Sequence, residues 1–279
     1  KDILIKQTIE SAQNQAEGIG TQVSEDMTSI VSDIIVNTNT ENGSKIIEEL
    51  NNTETESNLS LKVISDISEK DTTKLNTLSE NNKEQIEKLT ETAIKNADAS
   101  EESAQLIAKV VDKANDEIAN KVINEVTKNS VDNKEALSAK VMKSIVSINP
   151  DKIENLSDEN KDTIIQQTIN AAKNQNENKD DESDDLADVV ADIIVKANAT
   201  TSGKLFQELD KTELAKESDL NLTILDKLSN KDLFEQKLEI ISITSTLNDT
   251  AIGNFVSKSI KNVADEKKLE KIVSIVEKS

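Results

Sequence analysis

The side chains able to do chemistry here are carboxylates, hydroxyls, amides and lysines. The 279 residues contain no Cys, His, Trp, Tyr or Arg. The acidic run Asp180-Asp181-Glu182-Ser183-Asp184-Asp185 gathers the hard oxygen ligands that calcium takes. It lacks the Gly at the turn and the spaced terminal Glu of a helix–loop–helix calcium loop. It also stands directly before the apolar run that opens at Leu186, where acids favour the positive end of a helix dipole. The run therefore reads as a solvated loop and helix start rather than as a metal site.

Paired acids recur at Glu48/Glu49, Glu101/Glu102 and Asp184/Asp185. Glycoside chemistry needs two carboxyls across a cleft with rings for the sugar to stack on. The chain has no Trp or Tyr, so these acids read as solvated helix faces. Ser and Lys are abundant, but no Ser-x-x-Lys motif stands in a settled context. Asn-x-Ser/Thr sites occur at Asn42, Asn51, Asn58, Asn155, Asn198, Asn221 and Asn248. In a chain this rich in Asn, Ser and Thr they arise by chance. Without Cys and His, zinc, haem and iron–sulfur sites lose their usual ligands, and thiol or imidazole catalysis loses its groups. The expectation is a non-enzyme with no catalytic residue, no metal ligand and no cofactor.

The elements that carry these residues belong to an internal repeat. Leu59-Ser60-Leu61-Lys62-Val63-Ile64 returns 78 residues on as Leu137-Ser138-Ala139-Lys140-Val141-Met142, and again as Leu220-Asn221-Leu222-Thr223-Ile224-Leu225. Lys74-Leu75-Asn76-Thr77-Leu78-Ser79 returns as Lys152-Ile153-Glu154-Asn155-Leu156-Ser157, also 78 on. Leu4 to Ile9 matches Ile164 to Ile169, Asp33 to Val36 matches Asp192 to Val195, and Lys45 to Leu50 aligns with Lys121 to Val126 and Lys204 to Leu209. Val256 to Ile260 echoes Val141 to Ile145. The unit is about 80 residues. The predicted organisation is a partial helical repeat at 1–70, full repeats at 71–148 and 149–231, and an abbreviated repeat or cap at 232–279.

Each unit reads as helical. Leu186, Val189, Val190, Ile193, Ile194 and Ala197 recur at the spacing of one helix face. Met27, Ile30, Val31, Ile34 and Ile35 repeat the pattern, as do Leu106, Ile107, Val110, Val111 and Ala114. Start signals are Ser24-Glu25-Asp26, Ser100-Glu101-Glu102 and Ser157-Asp158-Glu159, with Asn149-Pro150 read as an N-cap followed by Pro at the first helical position. Asn42-Gly43 and Ser202-Gly203 read as stops in matching loops. No stretch alternates long enough for a strand. The fold class is all-α, with four or five helices per unit stacked as a solenoid or strung as small bundles. A continuous coiled coil is the weaker reading, because polar clusters interrupt the heptads.

Acids outnumber bases 54 to 33, for a formal charge of −21. That charge opposes nucleic acids and anionic membrane surfaces. No run approaches the 18 apolar residues of a membrane span. The first residues, Lys1-Asp2-Ile3-Leu4-Ile5, carry no initiator Met and no apolar signal region, which points to a processed chain or a segment of a longer one. Among the three Phe, Phe206 replaces Ile47 at a repeat position and reads as core, while Phe234 and Phe255 read as packing in the irregular last unit.

The functional expectation is an acidic helical-repeat structural protein: a spacer, scaffold or building block of an extended assembly, in an extracellular, filament or surface-layer setting. Its expected partners are proteins, either copies of itself or neighbouring repeats, with no nucleic acid and no membrane span. The alternative is a binding module that holds a peptide or basic partner on the concave face of the solenoid.

Overall fold

A computed structural model describes residues 7–11, 21–52, 59–128, 134–178, 185–211, 220–231 and 234–261. The protein is all-helical, and no strand occurs among the described residues. Two compact units divide at Leu137/Ser138.

In the first unit the helices are α1 (Thr21–Asn37), α2 (Thr40–Asn52), α3 (Leu59–Lys70), α4 (Thr72–Asn81), α5 (Lys83–Lys95), α6 (Glu101–Lys113) and α7 (Asp116–Lys128). They form two rows. In the first row α1 packs on α3 and α3 on α6. In the second row α2 packs on α5 and α5 on α7. Contacts of α1 with α2, α3 with α5 and α6 with α7 join the rows, and α4 lies against α2, α3 and α5.

The second unit contains most of α8 (Lys134–Ile148), then a 3-10 turn (Lys152–Asn155), α9 (Asp158–Asn178), α10 (Leu186–Lys196), α11 (Ala199–Lys211), α12 (Leu220–Ser229), α13 (Phe234–Thr244) and α14 (Thr246–Lys261). Here α10 packs on α12, and a Lys143–Asp192 ion pair at 3.8 Å joins α8 to α10. In the other row α11 lies between α9 and α14, and α13 rests on α11 and α14.

Helix boundaries follow side-chain caps. The Ser100 hydroxyl accepts the Ser103 N–H at 3.1 Å, and Glu101 and Glu102 fill the first turn of α6. Asp71 caps α4 and Asp185 caps α10 in the same way. Asn39, Asn115 and Asn198 each accept, at 2.9 Å, the N–H three residues on, which opens α2, α7 and α11. Ser157 accepts the Asn160 N–H at 3.3 Å at the start of α9.

Three local expectations are corrected. Ser24 lies inside α1, which begins at Thr21. Pro150 lies in a turn before the 3-10 segment instead of opening an α-helix, and Asn149 accepts the Asp151 N–H there at 3.3 Å. Gly43 and Gly203 do not stop helices. Both lie in the first turns of α2 and α11, where the Asn39 and Asn198 caps already start the helix. The role of Gly203 is close approach, since a Cβ there would sit 2.4 Å from the Asn248 amide nitrogen.

The core is Ile, Leu, Val and Ala with few rings. Phe206 and Phe255 are both buried and meet edge to face, centroids 5.3 Å apart, which fixes α11 against α14. Buried hydroxyls occupy many remaining contact positions. Several are satisfied within their own helices: Ser32 donates to the Thr28 carbonyl at 2.9 Å, Thr90 to Ile86 at 2.8 Å, Thr168 to Ile164 at 2.7 Å and Ser259 to Phe255 at 2.8 Å. A small satisfied hydroxyl lets a neighbouring helix approach without an orphaned polar group.

Gly203→Ala is expected to displace Asn248 from its bonds with Gln207 (2.7 Å) and the Ile241 carbonyl (3.2 Å). The loss should be about 1–3 kcal/mol in urea unfolding. Gly43→Ala meets its nearest atom, on Leu78, at 3.4 Å, and should be neutral or gain up to about 1 kcal/mol from helix propensity.

A second expectation concerns Asp98, which accepts the Ser100 and Ser103 hydroxyls, each at 2.6 Å. Those bonds hold its carboxyl below the usual range. A depressed folded value means the contribution is present above the unfolded value near 3.9 and is lost as pH falls through the folded one. Asp98→Asn should therefore flatten that part of the acid-unfolding profile followed by circular dichroism.

Candidate functional site

Most of the acidic run 180–185 lies outside the described residues. Its last member, Asp185, is a helix cap. Its carboxylate accepts the Asp188 N–H at 3.1 Å and pairs with Lys227 on α12 at 2.5 Å. Burial opposes ionisation of Asp185, but the Lys227 ammonium and the Asp188 N–H outweigh it and hold the carboxyl low. Glu48, Glu49, Glu101 and Glu102 lie at exposed or half-buried positions on their helices, and Glu102 pairs with Lys62 at 3.0 Å. Among the described residues, no group of three or more acids is placed to hold a metal. Nor is any helix there long and apolar enough to cross a membrane.

The amide sites separate by burial. Asn221 and Asn248 are buried, so their side chains are closed to a modifying enzyme in the folded chain. Asn155 is exposed, Asn42, Asn51 and Asn198 are half-buried, and Asn58 lies outside the described residues. Of the Phe positions, the side chain of Phe234 is outside the described set.

What the structure does assemble is a set of ties between helices that are not neighbours in the chain. On α3, Lys70 pairs with Asp33 of α1 at 2.8 Å and with Asp66 at 2.9 Å, and also donates to the Ser29 hydroxyl. Just past α12, Lys231 pairs with Asp188 at 2.8 Å and Asp192 at 2.7 Å on α10. Burial works against both ammonium groups, yet their carboxylate pairs hold both pKa values above the ordinary lysine value. In the second row Lys83 pairs with Glu117, Lys204 with Asp162 at 2.9 Å and Lys258 with Asp210 at 2.7 Å.

A second kind of tie uses helix ends. Lys74 on α4 donates to the Thr38 carbonyl just beyond α1, and Lys237 on α13 donates to the Ala197 carbonyl just beyond α10. A cation there satisfies a carbonyl left open at the helix C-terminus. Burial pushes the Lys237 ammonium down. Two residues after Lys74, Asn76 accepts the Asn115 N–H at the start of α7 at 3.2 Å. Two residues after Lys152, Glu154 accepts the Thr201 hydroxyl in the first turn of α11 at 2.6 Å. In each case a short element reaches past the helix that follows it, α5 or α9, onto the N-terminal turn of a later second-row helix, α7 or α11. The sequence carried the signal in the matched blocks opening at Lys74 and Lys152, but as an alignment it did not reveal a contact.

Two small spaces lie among the described residues. A crevice between α5 and α7, lined by Ser79, Lys83, Ile86, Thr90, Glu117 and Ile118 among others, holds about 10 Å³. An apolar void near Leu61, Ile64, Ile94 and Ile107 is also about 10 Å³. Each is at the lower limit for a single water and far below the roughly 300–1,000 Å³ of a small-molecule site. The arrangement presents charged and capped helix surfaces, and its chemistry is that of ion pairing and hydrogen bonding between helices.

No family model matches the chain, and no curated protein matches it. Among solved structures, one described as "Computational Design of Self-Assembling Cyclic Protein Homooligomers" is similar at 16% identity, covering 99% of this chain and 90% of that one, with a TM-score of 0.18. So low a TM-score carries no argument about how this chain is arranged or what it does.

Proposed function

We propose that this chain is a non-enzymatic structural protein, an acidic helical-repeat segment that serves as a spacer, scaffold or building block of an extended assembly. Units of about 80 residues add length in near-equal steps, each supported by shared apolar faces. The observation that carries the reading is the recurrence of the same tie at the same register. Asn39, Asn115 and Asn198 cap α2, α7 and α11 with one geometry. Lys70 and Lys231 reach back to Asp33 and Asp192, which occupy matching positions in the sequence alignment. Asn76 and Glu154 reach α7 and α11 from matching positions. An acid-rich surface without Cys favours solubility and suits an extracellular or surface setting.

The test is light scattering of residues 1–279 against concentration, with and without millimolar calcium, followed by electron microscopy. Concentration-dependent growth into filaments or sheets is the expected outcome. A strictly monomeric chain throughout would overturn the building-block role. Growth only with calcium would tie assembly to the acidic run at 180–185.

A further inference from the structure

Asn42-Gly43 is the one Asn-Gly pair in the sequence. It does not end a helix, and its place at the start of α2 gives it a chemistry of its own. A deprotonated backbone nitrogen can attack the side-chain carbonyl carbon of the Asn before it. Glycine allows this best, because it has no Cβ in the way and is free in φ and ψ. The new N–C bond forms, the C–N bond of the side-chain amide breaks, ammonia leaves and a cyclic succinimide remains. Water then adds to either ring carbonyl. One opening gives Asp. The other gives isoaspartate, in which the main chain runs through the former side chain.

In the folded chain one residue guards this step. The Asn39 side-chain oxygen accepts the Asn42 N–H at 2.9 Å, and the Asn39 carbonyl accepts the Gly43 N–H at 3.0 Å. The second bond holds the proton that the attacking nitrogen must lose. The helical ψ of Asn42 also keeps that nitrogen out of line with its own side chain. The turn is enclosed by its neighbours. Gly43 is buried, and a Cβ there would lie 3.4 Å from Leu78 of α4 and 3.5 Å from the Ile35 carbonyl of α1. The Asn82 amide, just before α5, donates to the Ser44 hydroxyl.

We infer that Asn42 is a deamidation site gated by the first turn of α2. The reaction runs through the population in which that turn has opened, so its rate in the folded chain is the unfolded-chain rate multiplied by the open fraction. It is also one-way. Isoaspartate adds a main-chain carbon to the ring that the Gly43–Asn39 bond closes, so the turn cannot re-form as it was. The approach of Gly43 to Leu78 and the bond between Ser44 and Asn82 are lost with it. The Asp product keeps the main chain and puts an acid in a first turn, where the helix dipole favours it. The inference stands apart from the scaffold reading and does not need it.

The test is incubation of the full chain in mildly alkaline water enriched in heavy oxygen, with each labelled site located by mass spectrometry. In urea, Asn42 is expected to take up label faster than any other Asn, and Gly43→Ala should slow it at least about tenfold. In native buffer the Asn42 rate should fall at least about tenfold below its rate in urea. Asn39→Ala should raise the native rate about fivefold, whereas Asn39→Ser, which supplies another capping oxygen, should not. Asn115→Ala removes the matching cap of α7 and should leave the native rate unchanged. Chain carrying isoaspartate at position 42, isolated by chromatography, should unfold at lower urea than Asn42→Asp. Equal rates in urea and native buffer overturn the inference. So does acceleration by Asn115→Ala as large as that by Asn39→Ala, or an isoaspartate chain as stable as Asn42→Asp.

Discussion

Helices without large rings at their contacts stabilise one another only by close approach. Each Ile, Leu or Val contributes about 1.5–3 kcal/mol when fully buried, and Ala and Ser much less. The rows therefore depend on positions where one helix presents no side chain or only a small one to its neighbour. Gly203 against Asn248 is one such position, and the buried hydroxyls of Ser32, Thr90 and Thr168 are others. Each hydroxyl is bonded back to its own helix, so the neighbour meets a small, satisfied surface. The exception is the Phe206–Phe255 pair, where ring area takes over.

Close packing leaves helix ends crowded against other elements, and those ends carry open N–H and carbonyl groups. The chain meets this need with short polar residues at fixed places. Asn39, Asn115 and Asn198 satisfy N-termini, while Lys74 and Lys237 satisfy carbonyls just past the C-termini of α1 and α10. Exposed ion pairs such as Lys204–Asp162 each add about 1 kcal/mol or less. Their larger effect is on register, because a carboxylate placed beside the wrong residue loses its partner. Acids outnumber lysines 54 to 33, so the chain keeps a net negative charge even with every lysine paired.

The same economy accounts for where polar groups of the described residues go. Many are taken up by ties between helices, the two spaces described above are water-sized, and Glu48, Glu49, Glu101 and Glu102 lie along helix faces. The feature that departs from the rule is the α13–α14 corner, where Ile240, Ile243 and Leu247 stand exposed.

The all-helical class, the apolar stripe of α10, the caps at Ser100 and Ser157 and the burial of Phe206 can be read from the residues alone. These depend on periodicity and on bonds within one turn, and such local information is fully written in neighbouring residues. Sequence alone misread Gly43 and Gly203 because a glycine that ends a helix and a glycine that admits another helix look alike until the second helix is in place. It likewise missed the reach of Lys74 to Thr38, of Asn76 to Asn115 and of Glu154 to Thr201, and it could not tell buried Asn221 and Asn248 from exposed Asn155. Only tertiary structure decided these, because each joins segments more than thirty residues apart or depends on which helix covers which face.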